Sequence, residues 1–132
     1  MPKTVTANHH LKASPDRVFR AWTDPAEMKR WFKPARLIMN AQVDGLWHSE
    51  VEFEGKRWPH YGRFTRVESP RLLEETWMSE ATHGLESVLL VELEPRDGGT
   101  DIRVTHSGLP DDEAENHKQG WTELLKALDD LR

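Results

Sequence analysis

The last segment of the chain limits the fold most. Ala114, His117, Trp121, Leu124, Leu125, Leu128 and Leu131 recur at i, i+3, i+7, i+10, i+11, i+14 and i+17, one stripe of an amphipathic helix of about five turns. A stripe of that length is stable only against a complementary apolar surface, and the chain ahead of it offers strands for the purpose. From Leu46 to Glu54, Trp47, Ser49, Val51 and Phe53 alternate with His48, Glu50, Glu52 and Glu54, the period of a strand with one wet face. Further strands are expected over Thr4–Lys12, Tyr61–Glu68, Leu72–Ser79, Leu85–Glu94 and Asp101–His106. Turn residues divide them at Glu54-Gly55-Lys56, Ser69-Pro70, Thr82-His83-Gly84 and Asp97-Gly98-Gly99, the spacing of an antiparallel meander. Leu85, Leu89, Val91 and Leu93 should share a face, as should Ile102, Val104 and His106.

Between the first two strands lie two helix starts. Ser14-Pro15-Asp16 supplies an N-cap, a proline at N1 and an acid in the first turn, and Asp24-Pro25-Ala26-Glu27 repeats the pattern, with Glu27 placed to complete a capping box. Short helices over Pro15–Trp22 and Pro25–Trp31 follow, the second stopped by Pro34. Asp112 and Glu115 have the same capping-box spacing ahead of the last helix. The class is therefore α+β, a curved sheet wrapped around its final helix.

A chain of 132 residues fits a single domain, 1–132. With no cysteine there is no disulfide, thiolate metal site or thiol nucleophile. No metal is expected, since no HExxH or similar spacing exists to accompany His106, Glu113 and His117, and no cofactor is expected. The net charge of −5 argues against nucleic acid as a partner. No apolar run is long enough for a membrane span or a secretory leader, so a cytoplasmic location is expected. Six tryptophans against four phenylalanines and one tyrosine point to a bulky core or an aromatic-lined cavity.

The ordered motifs SPDRVFRAWTDPAEMKRWF, GRFTRVESPRLL, GGTDIRVTHSGLP and HKQGWTELLKAL resemble the family named for the activator of the ninety-kilodalton heat-shock ATPase. That family belongs to the START-like or SRPBCC superfamily, which includes the birch pollen allergen. The resemblance covers roughly Ala7 to Leu131. It implies a helix-grip fold of about seven strands around a long C-terminal helix, with a cavity closed at one end by the two short helices. It also implies a homodimer and binding of an apolar or amphipathic small molecule. Two alternatives are a cyclase, dehydratase or hydrolase using the same cavity, and a co-chaperone-like interaction module with a chaperone as partner.

The cavity residues expected are Trp47, Phe53, Tyr61, Phe64, Trp77 and Trp121 as walls, with Trp31 and Phe32 at the mouth that the resemblance implies. His106 and His117 are the histidines expected to point inward, either as structural residues or as polar contacts for a ligand. Leu73, Glu75 and Trp77 share a strand face, so an inward Trp77 carries Glu75 inward with it, with either a raised pKa or a partner such as Arg63 or His117; if Leu72, Thr76 and Met78 face inward instead, Glu75 is solvated.

Overall fold

A computed structural model describes residues 2–131. In chain order its elements are β1 (Lys3–Leu11), α1 (Pro15–Thr23), α2 (Pro25–Trp31), β2 (Arg36–Met39), β3 (Leu46–Phe53), β4 (Lys56–Glu68), β5 (Leu72–Ser79), β6 (Ser87–Arg96), β7 (Gly99–Leu109) and α3 (Ala114–Lys126). Short 3-10 turns follow β5 and α3. The seven strands form one curved antiparallel sheet in the order β1-β7-β6-β5-β4-β3-β2, so β2 and β1 are its two edges. The helix-grip arrangement expected from the motifs is the one observed.

Local chemistry accounts for the joints. Ser14 and Asp24 cap their helices by accepting from the backbone N–H groups of Arg17 and Ala26, each with proline at N1. The two-residue loops Glu54-Gly55 and Asp97-Gly98 hold positive φ at both positions (52° and 77°; 51° and 78°), the hairpin geometry that matches strand twist and favours glycine. Two expected capping boxes are absent. Glu27 reaches across to Arg17 at 3.0 Å, because the two helices pack together. Asp112 pairs with His83 at 3.0 Å, which holds its carboxyl below the ordinary value, and the N-cap of α3 is Glu113, which makes no side-chain cap bond.

The concave face of the sheet supplies the core. Leu73, Leu89, Val91, Leu93, Ile102 and Val104 meet Trp121, Leu125 and Leu128 from the C-terminal helical segment, all nearly inaccessible. Each fully buried aliphatic chain of this size contributes about 1.5–3 kcal/mol. α3 lies mainly over β1, and a 2.6 Å contact from His9 to Asp129 ties that edge strand to the end of the helical segment.

Several boundaries differ from expectation. β2 was not among the strands read from periodicity, because four residues, Arg36–Met39, are too few to display a period. β6 begins at Ser87, so Leu85 stands outside the strand and 62% exposed, and Ser87 takes the expected place of Leu85 on the buried face. The regular part of the last helix ends at Lys126, short of five turns.

A glycine inside the last helix reads from sequence as room for the backbone to approach the sheet or for a ligand, but Gly120 lies on the exposed side of α3, and a Cβ added there meets nothing within 4 Å. With no steric role, glycine only weakens the helix, so Gly120→Ala should raise the unfolding free energy by about 1 kcal/mol. An unchanged urea midpoint would show that the helix gains nothing there.

Candidate functional site

The inner ends of the strands nearest α2 enclose a small cavity. It is lined by Met28 and Phe32 from the second helix, Leu37 and Met39 from β2, Trp47 and Ser49 from β3, Phe64 from β4, and Glu75 and Trp77 from β5. Space for the centre of a water-sized group amounts to about 10 Å³, room for one such group. Of the bulky core and the aromatic-lined cavity that the tryptophans allow, the core takes most of them: Trp22, Trp31, Trp47, Trp77 and Trp121 are all buried.

Cross-strand register explains how these side chains meet. Leu37 pairs with Ser49, Met39 with Trp47, and Phe64 with Glu75. Gly62, between Trp47 and β5, has no room for a side chain: a Cβ there would lie 1.9 Å from the Thr76 carbonyl oxygen. The Trp47 indole uses that gap, crossing β4 to donate from Nε1 to the Thr76 carbonyl at 3.2 Å. Trp47 and Trp77 then pack with ring centroids 5.1 Å apart and tilted by 46°.

Glu75 does face inward, with 6% of its surface exposed. Its expected partners are elsewhere: Arg63 points to the outer side and binds Asp44 at 2.8 Å, and His117 bonds the Glu113 carbonyl through Nδ1 at 2.8 Å. No group among the described residues compensates the carboxyl, so burial alone pushes it up to about 8. Ser49 Oγ and Trp77 Nε1, also buried, likewise lack hydrogen-bond partners. Three polar groups that line one cavity are therefore unsatisfied, a costly arrangement for a core.

Beyond Trp77 lies a second cluster. His106 is fully buried and receives the Trp121 Nε1–H on Nδ1 at 3.1 Å. Ser87 donates its hydroxyl proton to the Trp77 carbonyl at 2.8 Å, so its oxygen accepts from His106 Nε2, also at 2.8 Å. Both ring nitrogens are committed in one neutral tautomer, with the proton on Nε2. Burial, followed by the nearby His117 and His60, pushes His106 down to about 3. His117 packs edge-on against it at 5.2 Å.

The expected cavity residues thus separate. Phe32, Trp47, Phe64, Glu75 and Trp77 line the space; His106, His117 and Trp121 form the histidine cluster behind it. Trp31 is core rather than mouth, donating to the Ala21 carbonyl at 2.8 Å and packing on Trp22. Phe53 is 55% exposed at the end of β3, beside the β3–β4 turn. Tyr61 is 43% exposed on the outer face, stacked on His48. Its reading failed because Tyr61 and Phe64, three residues apart on a regularly paired stretch of β4, cannot share a face. Trp58, His60, Gly62 and Phe64 share the inner face, so His60 is an inward histidine that was missed. Burial, ahead of His117 and His48, pushes His60 down to about 4. Ser49 was legible as inward from its alternation, but its lack of a partner was not.

A larger concavity of about 670 Å³ lies at the β1–β7–β6 end of the sheet and opens widely to solvent. Most of its charges are paired, as in His10–Asp101 at 2.7 Å and Arg103–Glu92 at 3.3 Å, and none of its lining side chains holds a buried polar atom without a partner. No group of three or more His, Cys, Asp or Glu among the described residues could hold a metal. No helix there is long and apolar enough to cross a membrane.

Comparison with solved structures agrees with this geometry. The crystal structure of Mll3558 from Rhizobium loti is similar, at 26% identity and a TM-score of 0.85 over 97% of this chain and 95% of that one. CalU16 from Micromonospora echinospora aligns at 23% identity and a TM-score of 0.78, over 96% and 74% of the two chains. The solution structure of the Aha1 dimer from Colwellia psychrerythraea aligns at 20% and 0.75, over 97% and 94%. No significant match is found among curated proteins. The family described as activator of Hsp90 ATPase homolog 1-like protein matches residues 12–131, nearly the whole chain, and the chain belongs to that family.

Proposed function

We propose that this chain binds a small amphipathic molecule inside the grip. The polar end of the ligand rests on Glu75 and Ser49, and its apolar part lies beneath Met28, Phe32, Leu37 and Met39. The observation that carries this reading is the unsatisfied carboxyl of Glu75, buried beside an unsatisfied hydroxyl in one cavity. A core gains nothing from such groups, whereas a binding site needs a few convergent polar groups on an apolar lining. The mouth is built from the parts of the fold with fewest constraints: a seven-residue helix, and a four-residue edge strand paired on one side only. Its methionines are unbranched and repack readily, so the small volume is that of a closed site. A reaction in this cavity would have Glu75 and Ser49 at its disposal. Tyr61 faces away, and His106 has neither nitrogen available.

A second reading rests on the outer face, where Ile38, Leu46 and Tyr61 are 56%, 69% and 43% exposed. Ile38, His48 and Tyr61 stand in one cross-strand row, an apolar patch suited to a second copy of the chain. The neighbouring Aha1 structure was solved as a dimer, which supports this assignment over a chaperone partner.

Native mass spectrometry of the protein purified from its source tests both readings. The first expects a copurified small molecule released on denaturation. The second expects twice the chain mass, reduced to one by Tyr61→Lys. An apo mass in every preparation would defeat the first, and a monomer at all concentrations the second.

A further inference from the structure

The cavity also indicates the charge of what fills it. Resting on the interior-binding reading above, we propose that the polar end of the ligand is an organic ammonium group, held by the Glu75 carboxylate with Ser49 as a second acceptor and the rings of Trp47 and Trp77 beside it.

Three observations support a cation. Among the lining residues, contributed by α2, β2, β3, β4 and β5, Glu75 is the only ionisable one, so the chain itself provides no counter-charge. Aromatic rings make up much of the remaining wall, and their faces attract cations and repel anions. The size also fits: the open space, about 10 Å³, takes one water-sized group, which is the size of an ammonium head. A carboxylate or phosphate finds no cation in the lining to receive it. A neutral hydroxyl could pair with Ser49 and with the protonated carboxyl, but only a cation compensates the carboxylate once Glu75 ionises. The other titratable groups on the inner side are His60 on β4, which stands opposite Ser49 across the strands, packs on Trp77 and is held neutral by burial, and His106 on β7 and His117 on α3, in the cluster that packs on the Trp77 ring. Leu89, opposite Glu75 on β6, carries no charge.

Below the pH at which Glu75 ionises in the empty protein, the carboxyl must lose its proton as the ammonium arrives. Binding then releases about one proton to solvent, and affinity rises with pH until ionisation is complete.

The test is calorimetric titration of the full chain with hexylammonium chloride, 1-hexanol and sodium hexanoate at pH 6.5. Two buffers of different ionisation enthalpy count the protons, and tryptophan fluorescence reports occupancy of the cavity. Hexylammonium should bind at least about tenfold more tightly than hexanol, a difference of about 1.4 kcal/mol, with close to one proton released. Hexanoate should not bind. Glu75→Gln should remove both the preference and the proton release while still melting cooperatively. Equal or tighter binding of hexanol with the same fluorescence response would overturn the ammonium assignment and leave interior binding standing. Amine binding unaffected by Glu75→Gln would place the cation on the acidic surface and overturn the assignment. Failure of all three probes to perturb the tryptophans would overturn the assignment and interior binding together.

Discussion

Glu75→Gln should yield a more stable protein, with a gain that grows as pH rises. The carboxyl titrates at the ordinary 4.5 in the unfolded chain and near 8 when folded. The folded state therefore holds a proton that the unfolded state gives up between those values. Whatever Glu75 contributes is retained below pH 4.5 and lost progressively as pH rises through 8, by roughly a tenfold change in the folding equilibrium per pH unit. The cumulative penalty is on the order of 3 kcal/mol at pH 7. Glutamine fills the same volume and does not ionise, so the variant should escape that penalty.

The histidines act in the opposite sense. His60 and His106 titrate near 4 and 3 when folded, so their contribution is complete above the ordinary histidine value of 6.5 and is lost as pH falls below it. The parent chain should be most stable close to that value and weaken on both sides, whereas the variant keeps the acid decline and lacks the alkaline one. Urea midpoints from pH 5 to pH 8.5 measure this directly. Parallel profiles for the two proteins would show that Glu75 does not titrate in this range.

His106→Leu should be the most damaging single change to the interior. Leucine is apolar and somewhat smaller, but it cannot receive the Trp121 N–H or donate to Ser87. The Trp121 N–H would be left buried without a partner, at about 1–3 kcal/mol, Ser87 would lose its donor while keeping its bond to the Trp77 carbonyl, and the vacated ring volume adds a cavity cost. A loss of about 4 kcal/mol is expected, which for a chain of this size lowers Tm by roughly 15 °C. His106→Gln keeps a donor and an acceptor and should recover part of the loss. A leucine variant within about 1 kcal/mol of the parent, by the same denaturation measurement, would mean that the network has no structural weight.

The two residues mark how far the residue pattern reached. His106 was placed inward from the alternation Ile102, Val104, His106, and Glu75 from its sharing a face with Trp77. Both placements hold, because side-chain direction in a strand follows from local period alone. Phe53 and Tyr61 failed for physical reasons of their own: Phe53 lies exposed at the end of β3 beside the hairpin turn, and Tyr61 stands three residues from the inward Phe64 on a regular strand, which puts it on the opposite side. The β2 strand and its mouth residues Leu37 and Met39 passed unnoticed because that strand is held by pairing with β3 rather than by any pattern of its own.

Periodicity, proline positions and turn residues in this sequence determined the order of elements, the antiparallel sheet, the closing helix and most of the core face, since each depends on neighbours along the chain. Only the tertiary structure decided that His106 is fully satisfied and Glu75 is not. The two share the concave face on either side of Leu89. One meets Trp121 and Ser87, and the other meets apolar walls and two unsatisfied groups. Partnership and leftover space depend on which side chains converge from distant strands and helices, and no local pattern encodes that convergence.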